Sequence, residues 1–520
     1  MTARLCLGQP LPGWPSNLTA LSIQLQPSSQ SHWQLLPHEQ GWQLLVSGPI
    51  LELCQQLQPA MDEIWLNHPL TAEQCHALAN LLRLGGRLYD SRPENSSAWR
   101  GAGLVWQADH WQQQQSQGPK PQAAGRLRLW QARQPSNRDQ PIAVLGAGIA
   151  GVCTAQALAK LGYQVHLYDR QGESCQEASG NRQGVLYIKP SKKSELLAQF
   201  QWQAWQYSQA LLAQSELSSL DKGQSGLLLL GQHAGVANNP LYRGSYQPLS
   251  PEQASSKAGW PVDQPALWLD QCAWVHPKAW AQQLLKQAGI QCRFHRPCQL
   301  QAHDQGWLVD NEFYTQLVIC TGIHSSNLAA CQHLSLQAIQ GWVSHYALKP
   351  GQQGPDCILC AKGYVTPSVA GQLHFGASYG LNLNQASEQP KDQAHNLERL
   401  AELGAPFVPD AKGLTGRAGV RAATHDTLPL LGAIAQTPER LAWQLAHDQQ
   451  QHECWQPGLW INSGHGSRGL STAPLSAAVV ACQIAGLPVP LSQQLFFATL
   501  AERRALKHPQ AKPSRLNGRT

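Results

Sequence analysis

With 520 residues the chain is too long for one ordinary folding unit, so two or three units with ample core are expected. Only 13% of residues are charged, and the apolar content is ordinary, which excludes general disorder and points to a soluble, globular protein. A net charge of +6 is too modest to choose between partners by itself.

The opening MTARLCLGQPLPGW carries no charged-then-apolar secretion segment. No run approaches the roughly 20 apolar residues of a membrane span. Fourteen cysteines scattered without a framework read as reduced thiols in a cytoplasmic protein. Cys357 and Cys360 have no second pair at zinc spacing and lie in a strand-like run, so buried thiols are expected. The stretch QQQQSQGPKPQAAG reads as a flexible loop, and a domain boundary is expected near Gln134 to Gln140.

Immediately after that boundary comes PIAVLGAGIAGVCTAQALAKLGYQVHLYDR. Ile142 to Leu145 form a short apolar strand, and Gly146, Gly148 and Gly151 fill the positions of G-x-G-x-x-G. The first glycine allows the tight turn, the second lets pyrophosphate approach the backbone, and the third lets helix pack on strand. Val152, Ala155, Leu158, Ala159 and Leu161 give a helical stripe, and a second strand ends in Asp169, placed to bind ribose hydroxyls. Strand, glycines, helix, strand and acid in that order make a dinucleotide site, with pyrophosphate at the helix N-terminus.

Further along, Lys189, Lys192 and Lys193 read equally as RNA-phosphate contacts or a solvated cluster. CQLQAHDQGWLVDNEFYTQ alternates like a small β-hairpin layer, and LVICTG is a late strand closing on Thr321 and Gly322. GLWINSGHGSRGLSTAPLSAAVVACQIAG is a strand, a glycine-rich loop and a helix, a second source of backbone N–H groups. One nucleotide held by elements so widely spread favours FAD over NAD. The segment after Ala501, with Arg503, Arg504, Lys507, Lys512, Arg515 and Arg519 against Glu502, reads as a solvated basic tail or a lure for a polyanion. His276, His324, His425 and His465 match no ligand spacing, so no metal is expected.

Four further stretches carry a family pattern: EASGNRQGVLY (Glu177 to Tyr187), AKGYVTPSVAGQLHFGASY (Ala361 to Tyr379), GVRAATHDTLPLLG (Gly419 to Gly432) and GHGSRGLSTAPL (Gly464 to Leu475). With the glycine fingerprint they resemble the glycine oxidase and D-amino-acid oxidase superfamily of FAD enzymes. More narrowly, the chain from about 137 to 500 resembles the oxidoreductase half of the bifunctional tRNA wobble-uridine modification proteins, the MnmC family.

The resemblance implies FAD-dependent oxidation of 5-carboxymethylaminomethyluridine at the tRNA wobble position, leaving aminomethyluridine and glyoxylate. Chemistry of that kind needs a cation for the substrate carboxylate and an electron-poor flavin edge. Arg421 matches the family's carboxylate-binding arginine, and Arg468 in the glycine loop is the second candidate. Gly464, Gly466, Ser467, Gly469 and Leu470 are expected against the isoalloxazine. Ser179, Asn181, Arg182, Gln183 and Gly184 match residues near the flavin, with loop packing as the rival role. Tyr364 and Tyr379 are candidates for the substrate pocket or for the core.

The expected architecture is an α/β flavoprotein. An FAD-binding Rossmann-like domain (137–220, 271–334 and 412–500) interleaves with an antiparallel-sheet substrate domain (221–270 and 335–411). Residues 1–136 resemble the end of a class I methyltransferase fold, and 501–520 form the tail. In the first region WQLLVSGPILELCQQLQPAMDEIWLNHPL, LANLLRLGGRLYDSR and GRLRLWQARQ resemble family elements, but Asn67, followed by His68 and Pro69, stands where the family motif has its aspartate. Half the methyl-donor site is missing, so methylation is not expected, and a separate methyltransferase is implied for the next step. The implied partner is tRNA with a modified wobble uridine, not DNA and not a membrane. A glycine- or sarcosine-type amine oxidase would share the arginines, and a non-catalytic tRNA-binding protein would keep the basic patches without flavin.

Overall fold

The computed structural model describes residues 3–7, 21–27, 32–38, 41–48, 50–57, 61–66, 70–90, 95–102, 104–107, 110–113, 136–190, 195–231, 240–242, 244–381, 387, 390–447 and 454–504. Outside them lie Asn67 to Pro69, the glutamine-rich stretch from 114 on, GRLRLWQARQ, Lys192, Lys193 and the tail beyond Arg504, whereas Gln112 and Gln113, expected in the loop, end a strand.

The six-stranded sheet that carries the glycine fingerprint runs Ile290–Arg293, Val165–Tyr168, Ile142–Leu145, Leu317–Ile319, Trp455–Ser463, Leu430–Ala435. Every neighbouring pair is parallel except the last. Ile142–Leu145 is buried at all its positions, as a central parallel strand covered on both faces must be. Helices Ile149–Lys160 and Gly469–Ile484, almost wholly apolar, pack against each other on this sheet. The alternating stretch after Ile290–Arg293 forms a three-stranded antiparallel layer, Leu300–His303, Gly306–Val309 and Glu312–Tyr314.

A nine-stranded sheet forms the second body of the flavin half. Its longest pairing is antiparallel, Gln337–Ala347 against Leu414–Ala423. The chain was expected to return to the nucleotide domain at about 412, but Leu414–Ala423 stays in the substrate sheet and the return comes with Leu430–Ala435. That strand alternates weakly, with most positions half-buried, so its pattern gives no sign of its partner. A small sheet, Gly184–Leu186, Ala273–Val275 and Lys222–Gly223, links the two bodies.

The N-terminal region is a further eight-stranded mixed sheet, ordered His32–His38, Gly41–Gly48, Leu21–Pro27, Ala3–Leu7, Met61–Leu66, Leu82–Tyr89, Trp111–Gln113, Leu104–Trp106. Trp42, Leu44 and Val46 alternate with half-buried Gln43 and Leu45, so one face is buried. That face meets helix Glu195–Ala213, where Trp42 Nε1 donates to the Tyr207 hydroxyl at 2.7 Å. The same helix packs against Gly469–Ile484, so one continuous apolar core joins the N-terminal sheet to the nucleotide domain.

Ala501, Glu502 and Arg503 are buried. Arg503 pairs with Asp426 and donates to the carbonyls of Leu428, Pro429 and Leu500, so the expected tail does not begin at 501.

Candidate active site

The three fingerprint glycines do three different jobs. Gly146 has φ +96°, and a Cβ there would stand 2.6 Å from the Cys320 carbonyl oxygen. A Cβ on Gly151 would stand 1.7 Å from the Gly146 carbonyl oxygen, which fixes how closely helix Ile149–Lys160 meets its strand. Gly148 caps that helix and faces open space, with only Ser179 Oγ at 3.4 Å from its Cβ position. Gly146 and Gly148 line the cleft and Gly151 lies behind it. Ser179 Oγ accepts the Ile149 N–H at 3.1 Å, closing one of the helix's free donors. Asp169, just past Val165–Tyr168, accepts the Ala147 and Gln171 N–H groups at 2.6 and 2.8 Å and lines the same cleft. A carboxylate has about four acceptor sites, so two remain for hydroxyl groups.

Opposite, Thr321 and Gly322 follow Leu317–Ile319, and Gly464, His465, Gly466, Ser467, Gly469 and Leu470 line the cleft ahead of Gly469–Ile484. Gly464 and Gly466 have φ of +79° and +57°, which glycine adopts without strain. His465 is locked between Asn462 Oδ1 (3.0 Å) and Thr472 Oγ1 (2.9 Å), and burial pulls its pKa down to about 4, so it is neutral at physiological pH. The whole cleft encloses about 520 Å³, within the range of cofactor sites.

Arg421 opens onto the cleft from Leu414–Ala423. Its guanidinium lies across Gly341 of the neighbouring strand, where a Cβ would stand 2.5 Å from both Nη atoms. Among the described residues that guanidinium has no hydrogen-bond or ion-pair partner. Surrounding protein desolvates it and lowers its pKa, while the nearby phenols of Tyr364, Tyr379 and Tyr187 act the other way. Tyr364 lines the cleft with its pKa raised to about 12 by burial, whereas Tyr379 stands 63% exposed.

The expected residues therefore divide. Ser179, Asn181, Gly184, Thr321, Gly322 and the 464–470 set line the cleft, apart from Arg468. Arg468 is not itself on the lining, but its charge reaches Tyr187, which is, and also Tyr246 and Cys360. Arg182 is exposed outside the cleft. Gln183 is buried, accepts from Thr366 Oγ1 at 2.9 Å and donates to the Pro367 carbonyl at 3.1 Å, pinning its loop to the substrate sheet.

A trio that no motif connects sits on the rim. Glu177 pairs with Arg170, and His324 Nε2 stands 3.1 Å from the second carboxylate oxygen. His324 and Arg170 together hold the Glu177 carboxyl down at about 2. Arg417 takes the carbonyls of Gln176 and Glu177, tying this loop to the substrate strand. Arg170 stands 7 positions from Glu177, but His324 stands 147 positions away, so no local spacing announces the trio. The histidines considered as ligands go separate ways: His276 faces Asp221, His324 faces Glu177, and His425 is exposed. Among the described residues no three His, Cys, Asp or Glu side chains are grouped to hold a metal. No helix among them is long and apolar enough to cross a membrane.

The FAD dependent oxidoreductase (DAO) family matches residues 141–483. The tRNA 5-methylaminomethyl-2-thiouridine biosynthesis bifunctional protein MnmC of Pseudomonas fluorescens is 33% identical over 418 residues, 74% of this chain and 62% of that protein. Its Pseudomonas aeruginosa counterpart is 32% identical over 420 residues, 75% of this chain and 63% of that one. The chain thus spans about three fifths of the length of these relatives. Among solved structures, glycine oxidase from Geobacillus kaustophilus aligns with a TM-score of 0.53 at 20% identity, covering 66% of this chain and 95% of that one. Iminodiacetate oxidase from Chelativorans sp. aligns with 0.53 at 19% identity, covering 67% and 96%. At such identities these two establish likeness of fold.

Proposed function

The chain belongs to the FAD dependent oxidoreductase (DAO) family, and from that premise we propose that it oxidatively removes the carboxymethyl group from 5-carboxymethylaminomethyluridine, with or without a 2-thio group, at the wobble position of tRNA. The products are aminomethyluridine and glyoxylate. The observation that carries the reading is the Arg421 guanidinium at the cleft, unpartnered among the described residues, in a chain similar to MnmC proteins along the greater part of its length.

The residues present fit FAD. Gly148 leaves the backbone bare at a helix N-terminus, Asp169 has acceptor sites free for ribose hydroxyls, and Gly464 and Gly466, both at positive φ, bring bare backbone to the opposite wall. FAD, when bound, accepts two electrons and a hydrogen from the carbon beside the substrate nitrogen.

The chain's own residues bind and orient. Arg421 takes the glycine-like carboxylate, bidentate where geometry allows, and so fixes the adjacent methylene. Tyr364 and His465 are both neutral at physiological pH. Arg170 and Arg296 also line the cleft, but Arg170 is paired with Glu177, and Arg421, without a protein partner among the described residues, is the charge assigned to the carboxylate. Loss of a hydride from the methylene carbon and of a proton from the nitrogen to solvent turns the N–CH2 single bond into an imine. Addition of water and cleavage of the C–N bond then release glyoxylate and leave the amine on the base.

Residues 1–136 are read as a decayed methyltransferase domain that supports the flavin half or holds tRNA; a separate enzyme then methylates the product. The parallel pairings at the centre of its mixed sheet, with helices Ile50–Gln56 and Ala72–Ala79 between successive strands, support this. Nucleoside mass spectrometry after incubation of the holoenzyme with modified tRNA tests the proposal. Aminomethyluridine forming without S-adenosylmethionine supports it. An unchanged nucleoside from flavin-loaded protein that oxidises sarcosine overturns it.

A further inference from the structure

The inference concerns how the proposed site tells a nucleotide from a free amino acid, and it rests on that reading of the substrate. Strand Gln337–Ala347 has the arginine strand on one side, with Ile339 opposite Arg421, and Gly380–Leu381 on the other, with Ile339 opposite Leu381 and Gln340 opposite Gly380. The pairing continues beyond Gly380: the Ser378 N–H donates to the Trp342 carbonyl at 3.1 Å, and the Trp342 N–H donates to Ser378 Oγ at 3.0 Å. Tyr379 therefore falls opposite Gly341, the residue over which the Arg421 guanidinium lies. Side chains alternate along a strand, so Tyr379 and Leu381 stand on the same face as Arg421. Both are exposed, Tyr379 at 63% and Leu381 at 51%, whereas Tyr364 on the cleft wall is half-buried.

We propose that Tyr379, with Leu381 beside it, is a shelf on which the uracil base of the substrate stacks while its carboxymethyl group reaches Arg421. Four covalent bonds separate the carboxylate carbon from ring C5, a reach of about 5 Å. Neighbouring strands lie about 4.8 Å apart, so a carboxylate held over Gly341 brings the ring above the next strand, where Tyr379 and Leu381 are. An aromatic face and an aliphatic edge suit an unpaired base, which every pyrimidine presents as a flat π surface. Free glycine or sarcosine ends short of the shelf.

The test titrates the flavin absorbance of the holoenzyme with two probes: the nucleoside 5-carboxymethylaminomethyluridine, and methoxyacetate, a small carboxylate with no ring. Tyr379→Ala and Tyr379→Leu are expected to weaken the nucleoside about five- to a hundredfold, the range of one lost base–aromatic stack. Tyr379→Phe should retain it. The ratio of nucleoside to methoxyacetate affinity should fall by most of that factor. Equal weakening of both probes, or unchanged nucleoside affinity in Tyr379→Ala, would overturn the shelf. A wild-type enzyme that converts modified tRNA while Tyr379→Ala binds the nucleoside normally sinks the shelf alone. Tyr379-dependent binding without any conversion of tRNA sinks the proposed reaction alone.

Discussion

Arg421 is a cation with no protein counter-ion among the described residues, set where burial works against its charge. Such a group is costly to keep unless a ligand completes it. Arg421→Ala should lower kcat/KM at least about a hundredfold, the scale of one lost buried charge pair, while bound FAD stays at its wild-type ratio. Arg421→Lys should restore little, because a point charge cannot reproduce a planar two-pronged contact. Steady-state assays together with the flavin-to-protein absorbance ratio check both. The position of Arg421 at the cleft was legible because the stretch around it follows a family pattern. For Arg468 the sequence gives only a place in the glycine loop and nothing about which side its long side chain takes; it is absent from the lining, although its charge reaches Tyr187 there. Glu177, Arg170 and His324 meet only through folding, and no spacing rule joins them.

At the scale of elements, the strand–glycine–helix–strand unit was readable because each part has a local cause. The apolar run makes the strand, the glycines make the turn, and the apolar stripe makes the helix. Gly151→Ala should be felt at once, since its Cβ would meet the Gly146 carbonyl at 1.7 Å and the backbone on both sides must shift. A loss of about 1–3 kcal/mol in stability, with most FAD lost on purification, is the expected outcome, read by thermal melts and the absorbance ratio. Retention of full FAD would mean that helix and strand can separate without disturbing the pyrophosphate end. The destination of Leu414–Ala423 was not readable. Pairing with Gln337–Ala347 is a non-local choice, and half-buried positions along the strand leave no clean alternation to reveal it.

On the scale of the whole molecule, the N-terminal sheet and the flavin half share one apolar core across helix Glu195–Ala213, so they should unfold together. The sequence hinted at a boundary near 136 but could not reveal that the two sides pack as one. Stability should also fall in mild acid. His345, His374 and His465 have pKa values lowered by burial to about 4, 3 and 4. Each is neutral in the fold and charges on unfolding, so the unfolded state binds more protons below the ordinary histidine value of 6.5. Their contribution is complete above that value and is lost as pH falls towards 4, at about 1.4 kcal/mol per pH unit for each histidine within the window. Denaturant melts at pH 7 and pH 4.5 should differ accordingly, and replacing His345 and His374 together by glutamine should flatten the difference.

The central claim is that the FAD-binding cleft oxidises a carboxymethylamino group carried by tRNA. It is met most directly by mixing the holoenzyme anaerobically with a stoichiometric amount of anticodon stem-loop bearing 5-carboxymethylaminomethyluridine, then following the flavin absorbance and assaying glyoxylate. The account predicts full bleaching of the flavin, one glyoxylate per flavin, and no bleaching with the unmodified stem-loop. Flavin that stays oxidised with the modified stem-loop yet bleaches with glycine or sarcosine would contradict it.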